Sequence, residues 1–155
     1  MKKGIFSMLA AALVFASCSD DDSGNNSNGT ITAQALTNTV TNGSWRVTQF
    51  TEDGIDETSD FTGYNFTFNP NNTVTATNGT NEYQGVWTVT ADDDDDDDNP
   101  NNNPDFNLAF GSPDSFSELT EDWDPIERTG NKVRLRHTSG GDGSTDYLTF
   151  ERNTN

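Results

Sequence analysis

Cysteine, histidine and positive charge are all scarce in this 155-residue chain, and each scarcity excludes something. A single cysteine, Cys18, rules out an intramolecular disulfide, so the fold must rest on packing alone. A single histidine, His137, together with that one cysteine falls short of the several Cys and His ligands a zinc site takes, and no metal or cofactor is expected. Eight basic residues face 26 acidic ones, a net charge of −18, which repels phosphates and excludes nucleic acid as a partner. The longest apolar stretch, Ile5 to Ala16, is well short of the roughly 20 residues a membrane-spanning helix needs. No Cys–His arrangement or nucleophile elbow stands in the chain. Ser, His and Asp could be drawn from almost any composition, so their presence alone points to no enzyme.

What is present begins with a basic, apolar, small-residue order: Lys2 and Lys3, then Ile5–Ala16, then Ala16-Ser17 leading into Cys18. That is the order of a secretory signal peptide. Ala16-Ser17-Cys18 resembles the lipobox of bacterial lipoproteins, although Phe15 stands where that motif usually has Leu. The resemblance implies cleavage after residue 17, acylation of the Cys18 thiol and a membrane attached through the N-terminal lipid. The acidic run Asp20-Asp21-Asp22 resembles the surface-export signal of Bacteroidetes lipoproteins, which implies an outward-facing protein on the outer membrane. Loss of Lys2 and Lys3 leaves six basic residues against 26 acidic ones, a mature charge near −20. Such a chain is repelled by anionic headgroups, so the lipid is the membrane contact to expect.

Residues 18–30 are Ser, Asp, Asn and Gly without apolar periodicity and read as a flexible acidic tether, with a reach of about 20 Å. The remainder, 31–155, suits one domain. Ile31, Ala35, Leu36 and Val40 have near-helical spacing before Gly43, which predicts a short helix or turn. From Trp45 the period changes to two. Eight strands are expected, in the segments containing Trp45–Phe50, Tyr64–Phe68, Val74–Ala76, Tyr83–Val89, Phe106–Phe110, Trp123–Arg128, Val133–His137 and Leu148–Arg152, with no helix between them. One apolar face per strand and hairpin-length connections predict an all-β, eight-stranded antiparallel up-and-down barrel. A β-sandwich is the alternative, since alternation does not report strand order. One connection is long: the acidic loop 91–105, with seven aspartates from Asp92 to Asp98 and two prolines. It reads as a solvated spacer without a built calcium site.

Gly43-Ser44-Trp45 at the first strand resembles the Gly-x-Trp signature of lipocalins, in which the tryptophan plugs one end of the barrel under a basic residue from the last strand. The resemblance implies that Arg152 covers Trp45. In a closed meander of eight strands, the end of the last strand does lie beside the start of the first. Phe61-Thr62-Gly63-Tyr64-Asn65-Phe66-Thr67-Phe68, Gly85-Val86-Trp87 and Glu118-Leu119-Thr120-Glu121-Asp122-Trp123 are similar to phrases in the lipocalin-like domains of Bacteroidetes lipoproteins. The second lipocalin signature, an Asp between strands six and seven, has no counterpart, and Gly130-Asn131 is a tight turn.

Two uses of the barrel follow. Tyr64, Phe66, Phe68, Tyr83, Trp87, Phe106, Leu108, Val133, Leu135, His137 and Phe150 share the inward phase and would line a cavity for a small apolar or amphiphilic ligand. The same side chains could instead fill the barrel and leave a solid scaffold that displays its loops. His137, near a barrel end, is either a ligand contact or a hydrogen-bonded interior histidine. Glu118, Glu121, Asp122 and Asp124 surround Trp123 in sequence, as a charged rim or as a mimic of a glycosidase acid pair. An enzyme has least support. Oligomeric state leaves no trace in the pattern.

Overall fold

The computed structural model describes residues 31–91, 104–141 and 143–154. The expected signal peptide 1–17, Cys18, the tether 18–30 and the Asp92–Asp98 run lie outside these residues.

The period-two segments form β1 (Trp45–Glu52), β2 (Ile55–Asp56), β3 (Asn65–Phe68), β4 (Thr73–Thr77), β5 (Glu82–Thr90), β6 (Asp105–Phe110), β7 (Glu121–Arg128), β8 (Lys132–Thr138) and β9 (Thr145–Arg152). All pairings are antiparallel in the order β2-β1-β3-β4-β5-β6-β7-β8-β9, and β1 also pairs with β9. A sandwich keeps two sheets apart; here one sheet returns to its own first strand. The fold is therefore a closed eight-stranded antiparallel barrel, with the two-residue β2 added at the edge of β1.

Alternation supplies the inward face, as along β6, where Phe106, Leu108 and Phe110 are buried and the intervening residues are not. Two strands depart from period two. In β1, Trp45 and Val47 point inward, a register shift follows between Val47 and Gln49, and Phe50 returns to the core. In β7 a shift between Pro125 and Glu127 accommodates a proline that lacks a ladder donor.

Because strands alternate in direction, the barrel has two distinct poles. The Trp45 pole holds the start of β1, the end of β9, the β3–β4 turn and helix α1 (Ala33–Val40). Thr32 caps α1 by accepting the Ala35 N–H, 3.2 Å, and Leu36 and Val40 bury its apolar side. The opposite pole, named here for Phe116, holds the β1–β3 and β6–β7 connections. Each folds into a single turn absent from the sequence expectation: a 3₁₀ turn over Thr58–Phe61 and helix α2 (Asp114–Ser117). Four residues are too few to show a helical period.

Gly85 on β5 lies between Val74 of β4 and Phe110 of β6. A Cβ there would meet the Ala109 carbonyl oxygen and come within 2.9 Å of the Phe110 ring. Gly85→Ala is expected to destabilise the protein by about 1–3 kcal/mol through overpacking, read as a lower urea midpoint. An unchanged midpoint would show that Phe110 can yield at no cost.

Candidate functional site

The inward residues meet one another along the barrel axis. Phe66, Phe68, Phe106, Val133, Leu135 and Phe150 are each 0–1% exposed. The Phe150 ring lies 5.3 Å from Phe66 and 5.4 Å from Phe68, both edge-on, and Phe68 continues to Phe106 at 5.7 Å and Trp87 at 5.5 Å. These edge-to-face distances are those at which aromatic pairs attract beyond simple burial. Leu108 and Trp87 close the row at 3% exposure. Tyr64 and Tyr83 are half-buried at the Phe116 pole, 5.8 Å apart, and a hydrogen bond to Tyr64 raises the Tyr83 phenol above its ordinary range.

At the Trp45 pole the sequence-predicted trio meets. The Arg152 guanidinium lies over the Trp45 ring at 5.2 Å, and its stem passes beside Gly43, whose φ of +93° favours glycine. Trp45 donates its indole N–H to the Val40 carbonyl, 2.8 Å, and Arg152 donates to the Thr39 carbonyl, 3.4 Å. Arg128, turned inward beyond the β7 bulge, donates to the Thr39 hydroxyl at 3.0 Å. Helix α1 has no basic residue in its last turn, so two barrel arginines supply positive charge to its C-terminal dipole.

At the Phe116 pole, Phe116 and Phe61 are 1% exposed and 5.2 Å apart. Phe116 also meets Tyr83 at 4.9 Å, Tyr64 at 5.0 Å and Phe110 at 5.3 Å, so α2 stops the barrel mouth with an aromatic ring. Two threonine hydroxyls stand in for missing ladder bonds there. Thr120 accepts the Phe110 N–H at 3.0 Å and donates to the Phe110 carbonyl at 3.1 Å. Thr58 does the same for Phe50, at 2.8 and 3.3 Å.

The four acids expected around Trp123 are divided. Asp124 faces outward to Arg136, 3.2 Å. Glu121 and Asp122 flank His137, at 3.6 and 3.4 Å, whose ring stands edge-on to Trp123 at 6.2 Å on the rim. Glu118 turns instead towards Glu52 and Glu57, with carboxylate oxygens of all three within 4.8 Å of one another. Burial, followed by a hydrogen bond to Glu57 and the charges of Glu57, Glu52 and Asp60, raises the Glu118 carboxyl. Glu52 is raised by burial first and then by Glu57, Asp146, Asp53 and Glu121. Asp56 is lowered by the Thr58 hydrogen bonds it accepts, one of them from the backbone N–H at 3.0 Å.

Sequence reading missed Phe61, Phe116, Thr39, Arg128 and the Glu52–Glu57 partnership. Phe61 and Phe116 lie in connections, where no alternation marks a buried position, and Arg128 turns inward only because of the bulge. Arg152→Met, which keeps an apolar stem over Trp45, is expected to cost about 0.5–2 kcal/mol, measured by urea unfolding; no loss would make the stacking incidental. Neither the family models nor the curated proteins compared with this chain match it, so the lipocalin-like assignment extends as far as the closed antiparallel barrel.

Proposed function

We propose that this chain is a lipid-anchored surface lipoprotein of the lipocalin-like kind, in which a solid barrel acts as a non-enzymatic scaffold for interactions. The axial row of Phe66, Phe150, Phe68 and Phe106 carries the reading. Fully buried rings at contact distance occupy the volume a carrier would give to its ligand. The polar groups at both poles support the same view. Three indole N–H groups, two threonine hydroxyls and two arginines are engaged in closing the fold. The anchor rests on Ala16-Ser17-Cys18 and the acidic residues after it. α1, the first described element, joins the barrel at the Trp45 pole.

A ligand carrier is the second reading. It is favoured by the composition of the Phe116 stopper, a separate one-turn helix and not part of a strand.

A fluorescent fatty acid titrated into the protein is expected to show no saturable fluorescence change. Saturable one-to-one binding would replace the scaffold with the carrier. Metabolic labelling with palmitate in a bacterial host is expected to mark the wild type and not Cys18→Ser, which should leave the membrane fraction. Labelling that persists in the variant would remove the anchor from the reading.

A further inference from the structure

Helix α2 and the residues after it are held at the barrel mouth by apolar and polar contacts of opposite character. Phe116 packs among Phe61, Tyr64, Tyr83 and Phe110, and the Leu119 carbonyl accepts the Trp123 indole N–H at 3.1 Å. Between these attachments sits Glu118, facing Glu57 at the edge of the 3₁₀ turn and Glu52 at the end of β1, all half-buried. Two separate connections, β1–β3 and β6–β7, therefore meet through carboxylates.

Ionised carboxylates only accept hydrogen bonds. Glu57 Oε2 is closed off from solvent and has no donor among the described residues. A proton on Glu118 converts that facing pair of acceptors into a donor and an acceptor. Among the described residues, the surrounding elements offer no source of positive charge at this cluster. Asp53 follows β1, Asp146 comes from β9, Asp60 from the 3₁₀ turn and Glu121 from β7, and all are acidic. His137 faces Glu121 and Asp122. Of the six mature basic residues, Arg46, Lys132, Arg134 and Arg136 pair with Glu151, Glu127 and Asp124, and Arg128 and Arg152 lie beneath α1.

We propose that the Phe116 segment is a proton-operated stopper. Protons on Glu118 and Glu52, with the Glu57 carboxylate facing them as acceptor, hold it in the barrel mouth, and their loss loosens it. Both Glu118 and Glu52 are raised above the ordinary value of 4.5 in the closed form. The closed form thus binds more protons than the open form just above pH 4.5. Closure is strongest at and below that pH, weakens as pH rises through the raised values, and levels off beyond them. Opening exposes an aromatic cup of Tyr64, Tyr83 and Phe110 and leaves the axial rings in place, so the stopper can operate on a solid barrel or on a carrier alike.

The stopper contains its own reporters. The amides of Phe116, Ser117, Glu118, Leu119 and Thr120 all donate within the segment 113–120. Their hydrogen exchange, corrected for intrinsic rates, can be compared with the β8–β9 ladder of the same full chain between pH 4 and 8. The expected result is a progressive loss of the segment's relative protection as the pH rises above the ordinary carboxyl range. In Glu118→Gln, whose amide donates to Glu57 without charge, protection should stay high and flat. Glu57→Gln should flatten the profile likewise and serves if Glu118→Gln fails to fold. A flat wild-type profile, or a wild-type slope that persists in both variants, would overturn the proposal.

Discussion

Everything in this barrel depends on the ladder between its first and last strands. Six register pairs, from Trp45↔Arg152 to Thr51↔Tyr147, join β1 to β9. On its other side β1 meets β3 only at Trp45↔Phe66. Opening the β1–β9 ladder would leave two long unpaired edges, which invite aggregation. It would also remove Arg152 from Trp45 and hence from α1. The weak β1–β3 seam is completed by other means: the Glu57 N–H donates to the Phe50 carbonyl at 3.0 Å, and the Thr58 hydroxyl serves the same residue. A threonine hydroxyl can both accept and donate, so one side chain replaces the pair of bonds that a neighbouring strand would make.

The three tryptophans share one task. Each buries its ring against the core and turns its N–H to a backbone carbonyl in a connecting segment. Trp45 holds the end of α1; Trp87 holds the β3–β4 turn through the Asn69 and Thr73 carbonyls, each at 3.1 Å; Trp123 holds the stretch after α2. Loops that would otherwise leave polar groups stranded over an apolar core are thereby satisfied. With no second cysteine to staple them, these seals keep the connections in place.

The strands and their closure were legible because a half-buried strand writes its environment into every second residue. Phe106, Leu108 and Phe110 announce β6 without any neighbour being known. The Gly43, Trp45 and Arg152 grouping was legible for a different reason: closure of a meander dictates which ends are adjacent. What escaped was set by local departures from these rules. The β7 bulge reverses the phase of Arg128, and Phe61 and Phe116 become buried in one-turn elements that carry no period. Glu118 was singled out among the acids near Trp123, but its partners Glu52 and Glu57 lie in a different connection. Only the folded barrel brings the two connections together.

The six basic residues left after Lys2 and Lys3 have a further consequence, through where they stand. All lie on β7, β8, β9 and β1, four strands that are consecutive around the barrel. The strands β2 to β6 carry none. On the strands themselves this leaves β7, β8, β9 and β1 close to charge balance, six basic against seven acidic residues, while β2 to β6 carry three acidic residues and no basic one. An anionic surface therefore meets less repulsion from one half of the barrel wall than from the other.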